Sequence, residues 1–193
     1  LVYPATHSTS LITKPKTLHI CYSNSPTRFL WETEKYLEYE NFGNLKKLIL
    51  APILSFLRIW DQMAKSRPDF WIANSENVAE KLKKYYRVDA EVIYPFVDLE
   101  KFKPKSKAKG QNYFLVVSRL VAWKRVDIAI TAANLAKSPL KIAGSGPAFS
   151  ALKKIAKGNI EFLAEVKEDN LIQHYKNCKA LILPQEEDFG ITS

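Results

Sequence analysis

The stretch that decides the fold is 113–183, YFLVVSRLVAWKRVDIAITAANLAKSPLKIAGSGPAFSALKKIAKGNIEFLAEVKEDNLIQHYKNCKALIL. Short apolar runs at 113–118, 140–143, 160–163 and 180–183 alternate with helix-period stretches at 125–136, 148–157 and 168–177. Gly144, Ser145, Gly146 and Pro147 punctuate the middle of it. Strands separated by helices of about ten residues predict βαβ units and a parallel sheet. Ligands of such sheets sit beyond the carboxyl ends of the strands. The expected fold class is therefore α/β.

A similar alternation runs upstream. TLHICYS at 17–23 predicts a buried strand that ends in a turn at Ser25-Pro26. Leu45, Leu48, Ile49, Ile53, Phe56, Leu57 and Trp60 recur at helical spacing over 45–64, and Pro52 is expected to kink or split that helix. Apolar runs at 69–73 and 91–96 flank a helix over 76–86. Ser75 is its N-cap, with Glu76 in the first turn and Lys81, Lys83 and Lys84 near the end. Lys101, Lys103, Lys105, Lys107 and Lys109 then occupy alternate positions. Such a segment cannot bury a face and reads as a solvated linker, with a phosphate- or membrane-binding strip as the alternative. The expected organisation is a domain at 1–97, a Lys-rich linker at 98–110 and a second domain at 111–193.

Composition bounds the partners. The 193 residues are 47% hydrophobic and 25% charged, which suits a globular core and argues against global disorder. Twenty-nine Lys and Arg against 20 Asp and Glu give a net charge of +9, favouring anionic partners: phosphates, nucleotides, nucleic acid or an anionic membrane surface. Cys21 and Cys178 form neither a disulfide framework nor a CxxC metal pair, so a reducing, cytoplasmic setting is expected. The chain opens on Leu1 without a signal-peptide pattern, and no run of about 18 apolar residues spans a membrane. Residues 181–193 read as a strand, a loop and the start of a helix, so a fragment cut at both ends is expected.

Four clusters could carry chemistry. Arg119, Lys124 and Arg125 follow the first strand of the second half, where a guanidinium fork and an ammonium suit a diphosphate; an ordinary basic surface turn is the alternative. Gly144 and Gly146 lie between strand and helix, where a ligand can approach the backbone and a helix start attracts anions. As a dinucleotide fingerprint this turn is poor. Phe149 stands at the third glycine position, although Glu165 follows about twenty residues on. Glu186, Glu187 and Asp188 precede Phe189-Gly190-Ile191, and carboxylates there can accept hydrogen bonds from sugar hydroxyls. No second acidic cluster completes a metal site, and the kinase partners of Asp-Phe-Gly are absent. Asn24 and Arg28, among aromatics after the 17–23 strand, could line a sugar pocket or form a structural turn. His7, His19 and His174 have no ligand spacing and read as packing or surface residues.

The order of these segments is more specific than any one of them. SRLVAWKRVDIAI, KIAGSGP, IEFLAEV and LPQEEDFGITS together resemble the nucleotide-sugar-binding half of glycosyltransferase family 4, the group 1 glycosyltransferases. HICYSNSPTRFLW, RIWDQMAKSRPDFWIANSENVAEKLKKYY and VIYPFVDLEKFKP resemble the later part of the acceptor half, most closely in the mannosyltransferase-like branch. The resemblance implies a GT-B architecture of two Rossmann-like parallel-sheet domains, both incomplete in this stretch. It implies transfer of mannose from GDP-mannose to a glycan or lipid-linked acceptor in polysaccharide biosynthesis. No metal, no other cofactor and no nucleic acid are implied, and retention at the anomeric carbon is expected. Peripheral contact at the inner face of the membrane is the expected location.

By position, Arg119 and Lys124 match the family's diphosphate-binding pair, and Glu187 matches the first carboxylate of its Glu-x7-Glu motif. Phe189, Gly190 and Ile191 match the backbone beside the donor, Gly144 and Gly146 the glycine turn near the nucleotide, and Val166 the edge of the base site. Asn24 and Arg28 fall on the sugar and acceptor side. Asn24 stands where many relatives carry His; it can bond a hydroxyl but cannot transfer a proton near neutral pH. The second Glu of the motif would lie beyond Ser193, so the stretch by itself is expected to be inactive. A nicotinamide-dependent oxidoreductase using Gly144, Gly146 and Glu165, or a non-catalytic nucleotide-binding fragment, are the other readings.

Overall fold

The computed structural model describes residues 2–4, 8–34, 43–102, 111–190 and 192. Two compact units are present. The first comprises the described residues up to Phe96 together with Glu187–Gly190, and the second comprises those of Val97–Glu186 with Thr192. Both carry a four-stranded, wholly parallel sheet. The expected α/β class is observed.

In the first unit the strands are β1 (Val2–Pro4), β2 (Ile20–Ser23), β3 (Phe70–Ala73) and β4 (Glu91–Val92), hydrogen-bonded in that order. The helices are α1 (Arg28–Trp31), α2 (Asn44–Ala64) and α3 (Glu76–Tyr86). The strand expected at 17–23 shortens to Ile20–Ser23, and the run at 91–96 pairs only over Glu91–Val92. β1 has no counterpart in the sequence reading, because three residues ending in Pro give no period. On α3, Val78, Leu82 and Tyr86 face inward at i, i+4 and i+8 and pack with Cys21, Trp71 and Ala73. Its start is capped as expected: Ser75 Oγ accepts from the Val78 N–H at 3.2 Å.

Of the kink or split expected at Pro52, the split is not found: α2 continues for 21 residues through Pro52. Proline removes one backbone donor, but this part of the helix is exposed, so water can satisfy the freed carbonyl. Its apolar residues also face outward: Leu48, Ile49, Ile53, Phe56, Ile59 and Met63 are all more than half exposed. The inner face is carried instead by Asp61 and Ala64.

In the second unit the strands are β5 (Phe114–Val117), β6 (Leu140–Ala143), β7 (Ile160–Ala164) and β8 (Ala180–Leu181), in the order β7-β6-β5-β8. The helices are α4 (Val126–Ala136), α5 (Phe149–Ile155) and α6 (Glu168–Asn177), with a 3-10 turn at Ala122–Lys124. Val126, Ala129, Ile130 and Ala133 turn one face of α4 onto Val116, Leu140 and Ile142. Each fully buried Leu or Ile here contributes roughly 1.5–3 kcal/mol of hydrophobic stabilisation. The first strand in sequence, β5, is central. The chain adds β6 and β7 on one side of it, then crosses to add β8 on the other. A direction reversal of this kind opens a crevice at the carboxyl ends of the two strands that flank it.

Candidate functional site

In the second unit that switch point lies between β5 and β8. Ser118 and Arg119 follow β5 directly, and the Arg119 side chain is exposed. Lys124 closes the 3-10 turn, half-buried, with its Nζ 4.3 Å from the centroid of the Trp123 ring. Stacking on an aromatic face holds the ammonium without removing its charge. Arg125, in the left-handed region at φ 50°, forks onto Asp127 in the first turn of α4 through Nε and Nη2, each at 3.2 Å. The expected basic cluster therefore divides: Arg119 is exposed and Lys124 lies over Trp123, while Arg125 is paired with Asp127.

The glycine turn after β6 is tightly packed. A Cβ on Gly144 would lie 1.9 Å from the Ser118 carbonyl oxygen, and one on Gly146 would lie 2.3 Å from that of Leu120. The room left by both glycines is filled by this unit's own backbone. The Leu120 N–H donates to the Ser145 carbonyl at 2.9 Å, and the Ala148 N–H to the Leu120 carbonyl at 2.9 Å. The Phe149 N–H donates to the Gly146 carbonyl at 3.1 Å. The Ala148 and Phe149 amides are thus occupied, and α5 has only seven residues. The turn braces the Arg119 loop. Glu165 is exposed and Val166 half-buried on the loop after β7.

The remaining candidates sit in the first unit. Asn24 is exposed after β2, and its Oδ1 accepts from Asn74 Nδ2 at 3.4 Å. Arg28, expected on the sugar side, grips Asp188: Nε and Nη2 both reach Oδ2, at 3.1 and 2.6 Å. Glu187 is half-buried, and Phe189 packs on Tyr94 with centroids 6.0 Å apart. Gly190 takes φ 76°, a conformation that favours glycine. Ile191, His7 and most of the Lys-rich linker lie outside the described residues. His19 is buried and His174 half-buried, at packing positions. Neither Cys21 nor Cys178 is in a disulfide. Among the described residues, no three His, Cys, Asp or Glu side chains converge on a metal-sized site.

The sequence reading did not foresee Asp188 as an anchor, with Lys81, Asn77 and Ser75 converging on it. Burial alone would push the Asp188 carboxyl up. Hydrogen bonds from Lys81, Arg28 and Ser25 outweigh that and hold it below the usual carboxylate range. Burial likewise works against the Lys81 charge, yet its bonds to Asp188 and Glu32 raise its pKa above normal.

Residues 98–193 match the sequence profile described as glycosyl transferases group 1. The carboxyl-terminal half of this chain belongs to the group 1 glycosyl transferases. The chain is also 26% identical over 152 residues to O-antigen chain mannosyltransferase C of Escherichia coli, covering 71% of this chain and 39% of that protein. Among solved structures it is similar to the pneumococcal O-GlcNAc transferase GtfA, crystallised with UDP and GlcNAc. There the TM-score is 0.53 and the identity 21%, over 69% of this chain and 29% of GtfA. It is similar as well to S. aureus TarM, with a TM-score of 0.58 and 16% identity over 69% of this chain and 28% of TarM. Both are GT-B glycosyltransferases, and the likeness carries the parallel α/β fold. The chain spans about two fifths of the curated relative's length. Within the group 1 profile fall Arg119, Lys124, Gly144, Gly146, Val166 and the 187–190 segment.

Proposed function

We propose that the protein is a glycosyltransferase that transfers mannose from GDP-mannose to a glycan or lipid-linked acceptor, without a metal and with retention. The observation that carries this reading is the β7-β6-β5-β8 order, which puts Arg119 and Lys124 at the switch point of the group 1 module. There the two cations would offset the charge that develops on the departing nucleoside diphosphate. Glu187 would face donor hydroxyls, with Phe189 and Gly190 lending backbone beside it. Asn24 would position a sugar hydroxyl and move no proton. The printed name of the E. coli relative supports mannose and polysaccharide assembly.

Titration of the chain with GDP, UDP and NAD tests the site. GDP is expected to bind best, and Arg119→Ala or Lys124→Ala should each remove about 1.5–3 kcal/mol of charged hydrogen bonding. Unchanged GDP affinity in both variants overturns the assignment. Release of GDP from GDP-mannose should survive EDTA, and its loss would refute the metal-free reading.

No described helix is long and apolar enough to cross a membrane. The outward apolar face of α2, with Lys47 exposed near its amino end, supports peripheral contact with anionic lipid. Sedimentation with anionic phospholipid vesicles is the test. A Phe56→Asp variant that pellets as well as the parent sinks the idea.

A further inference from the structure

Three consecutive acids, Glu186, Glu187 and Asp188, are indistinguishable by composition, yet the structure treats them differently. Glu186 is exposed, Glu187 half-buried, and the Asp188 side chain only 6% exposed. Every polar atom of Asp188 that the first unit reaches is met. Arg28 donates twice to Oδ2. Lys81 Nζ and Asn77 Nδ2 donate to Oδ1 at 2.7 and 3.2 Å. Ser75 Oγ, which also caps α3, donates to the Asp188 carbonyl at 2.8 Å. Lys81 is itself held at 2.5 Å by Glu32 Oε1. A buried carboxylate tolerates removal from water only with this degree of pairing.

These contacts come from three elements far apart in sequence: α1, α3 with its N-cap, and the 187–190 segment. Chain on the amino-terminal side of that segment, Val97–Glu186, belongs to the second unit, whereas the segment itself packs with the first. The Asp188 contacts tie it there. Phe189 against Tyr94 adds one apolar contact.

We infer that Asp188 is a positioning residue, clamped by Arg28 and Lys81 so that the adjoining Glu187 and the Phe189-Gly190 backbone are fixed in place. It acts through its neighbours and touches no substrate. The clamp stands on the geometry alone; the consequence for Glu187 rests on the glycosyltransferase reading.

Two measurements on the full-length protein separate these parts. Hydrogen exchange of residues 186–190 reads the clamp directly. Asp188→Asn, which keeps shape and removes charge, should speed exchange there about tenfold while β2 and β3 amides stay protected. Asn77→Ala, which leaves both ion pairs intact, should have a smaller effect. Arg28→Lys combined with Asp188→Asn should be no worse than Asp188→Asn alone. Unchanged exchange at 186–190 in Asp188→Asn overturns the clamp. The second measurement is kcat/KM for GDP-mannose, expected to fall about tenfold in Asp188→Asn, the size of one lost charged hydrogen bond. A loosened segment with unchanged turnover overturns the positioning role. A parent protein that turns over no nucleotide sugar overturns the glycosyltransferase reading and, with it, the role given to Glu187, while exchange still decides the clamp.

Discussion

In the second unit the buried side chains include Leu115, Val116, Leu120, Ile130, Leu140 and Ile142, an aliphatic core between sheet and α4. In the first unit the buried set takes in His19, Asp61, Asn74, Ser75 and Asp188. Asp61 accepts from Thr27 Oγ1 at 3.2 Å and from Trp31 Nε1 at 2.7 Å. Burial first, and then the charge of Asp61, push the Tyr86 phenol well above its usual range. The ring nitrogens of His19 are buried with no hydrogen-bond partner among the described residues. Among the described residues, the polar or charged residues that are buried as a whole all belong to the first unit. Two parallel sheets of equal strand number are thus stabilised by different means. One relies on apolar area and close backbone approach, the other on paired charges that must be fully satisfied. Apolar packing tolerates small changes in composition. A buried ionic network does not, because removing one partner strands another.

The largest effect that would sharpen this contrast is expected at the backbone brace of the second unit. Gly144→Ala drives a methyl into the Ser118 carbonyl oxygen, a clash that no rotamer relieves. A loss of about 3 kcal/mol or more is expected in urea unfolding. Gly158→Ala, where nothing lies within 4 Å of the added carbon, serves as the control and should change stability by less than about 0.5 kcal/mol. Equal losses in the two variants would break the account of the brace.

A smaller, pH-dependent effect should single out the first unit. The folded Asp188 carboxyl titrates below its unfolded value. Its contribution is therefore fully present above about pH 4 and is lost as pH falls through the folded pKa. Hydrogen exchange at pH 7 and at pH 3 should show protection falling in β2, β3 and α3 while β5 and β6 hold theirs. A parallel decline in both units would mean that Asp188 does not set the acid limit.

Legibility in the sequence followed the same division. The helix at 168–177 agrees to the residue with α6, and the four apolar runs of the second half all became strands. Buried parallel strands are continuous apolar runs, and helices of these lengths carry their period on one face, so both signals are local. The cations Arg119 and Lys124 were also readable, since a strand's carboxyl end is defined by order along the chain. Where the reading went astray, the missing information was spatial. Pro52 suggests a broken helix unless one knows that its surroundings are solvent. That Gly144 and Gly146 leave no space for a Cβ beside the Ser118 and Leu120 carbonyls could not be read from the sequence. That Arg28 grips Asp188, 160 residues away, could not be read from the sequence.

What the sequence by itself determined is the α/β class, the alternation of elements and the placement of basic residues after β5. These depend on periodicity, capping and chain order, each set within a window of about ten to fifteen residues. Tertiary structure alone decided the strand order that makes β5 central, the face that α2 turns to solvent, and which of three adjacent acids is buried. Those outcomes depend on which distant groups arrive at one point. There, the desolvation of a charge is offset only by partners from other parts of the chain.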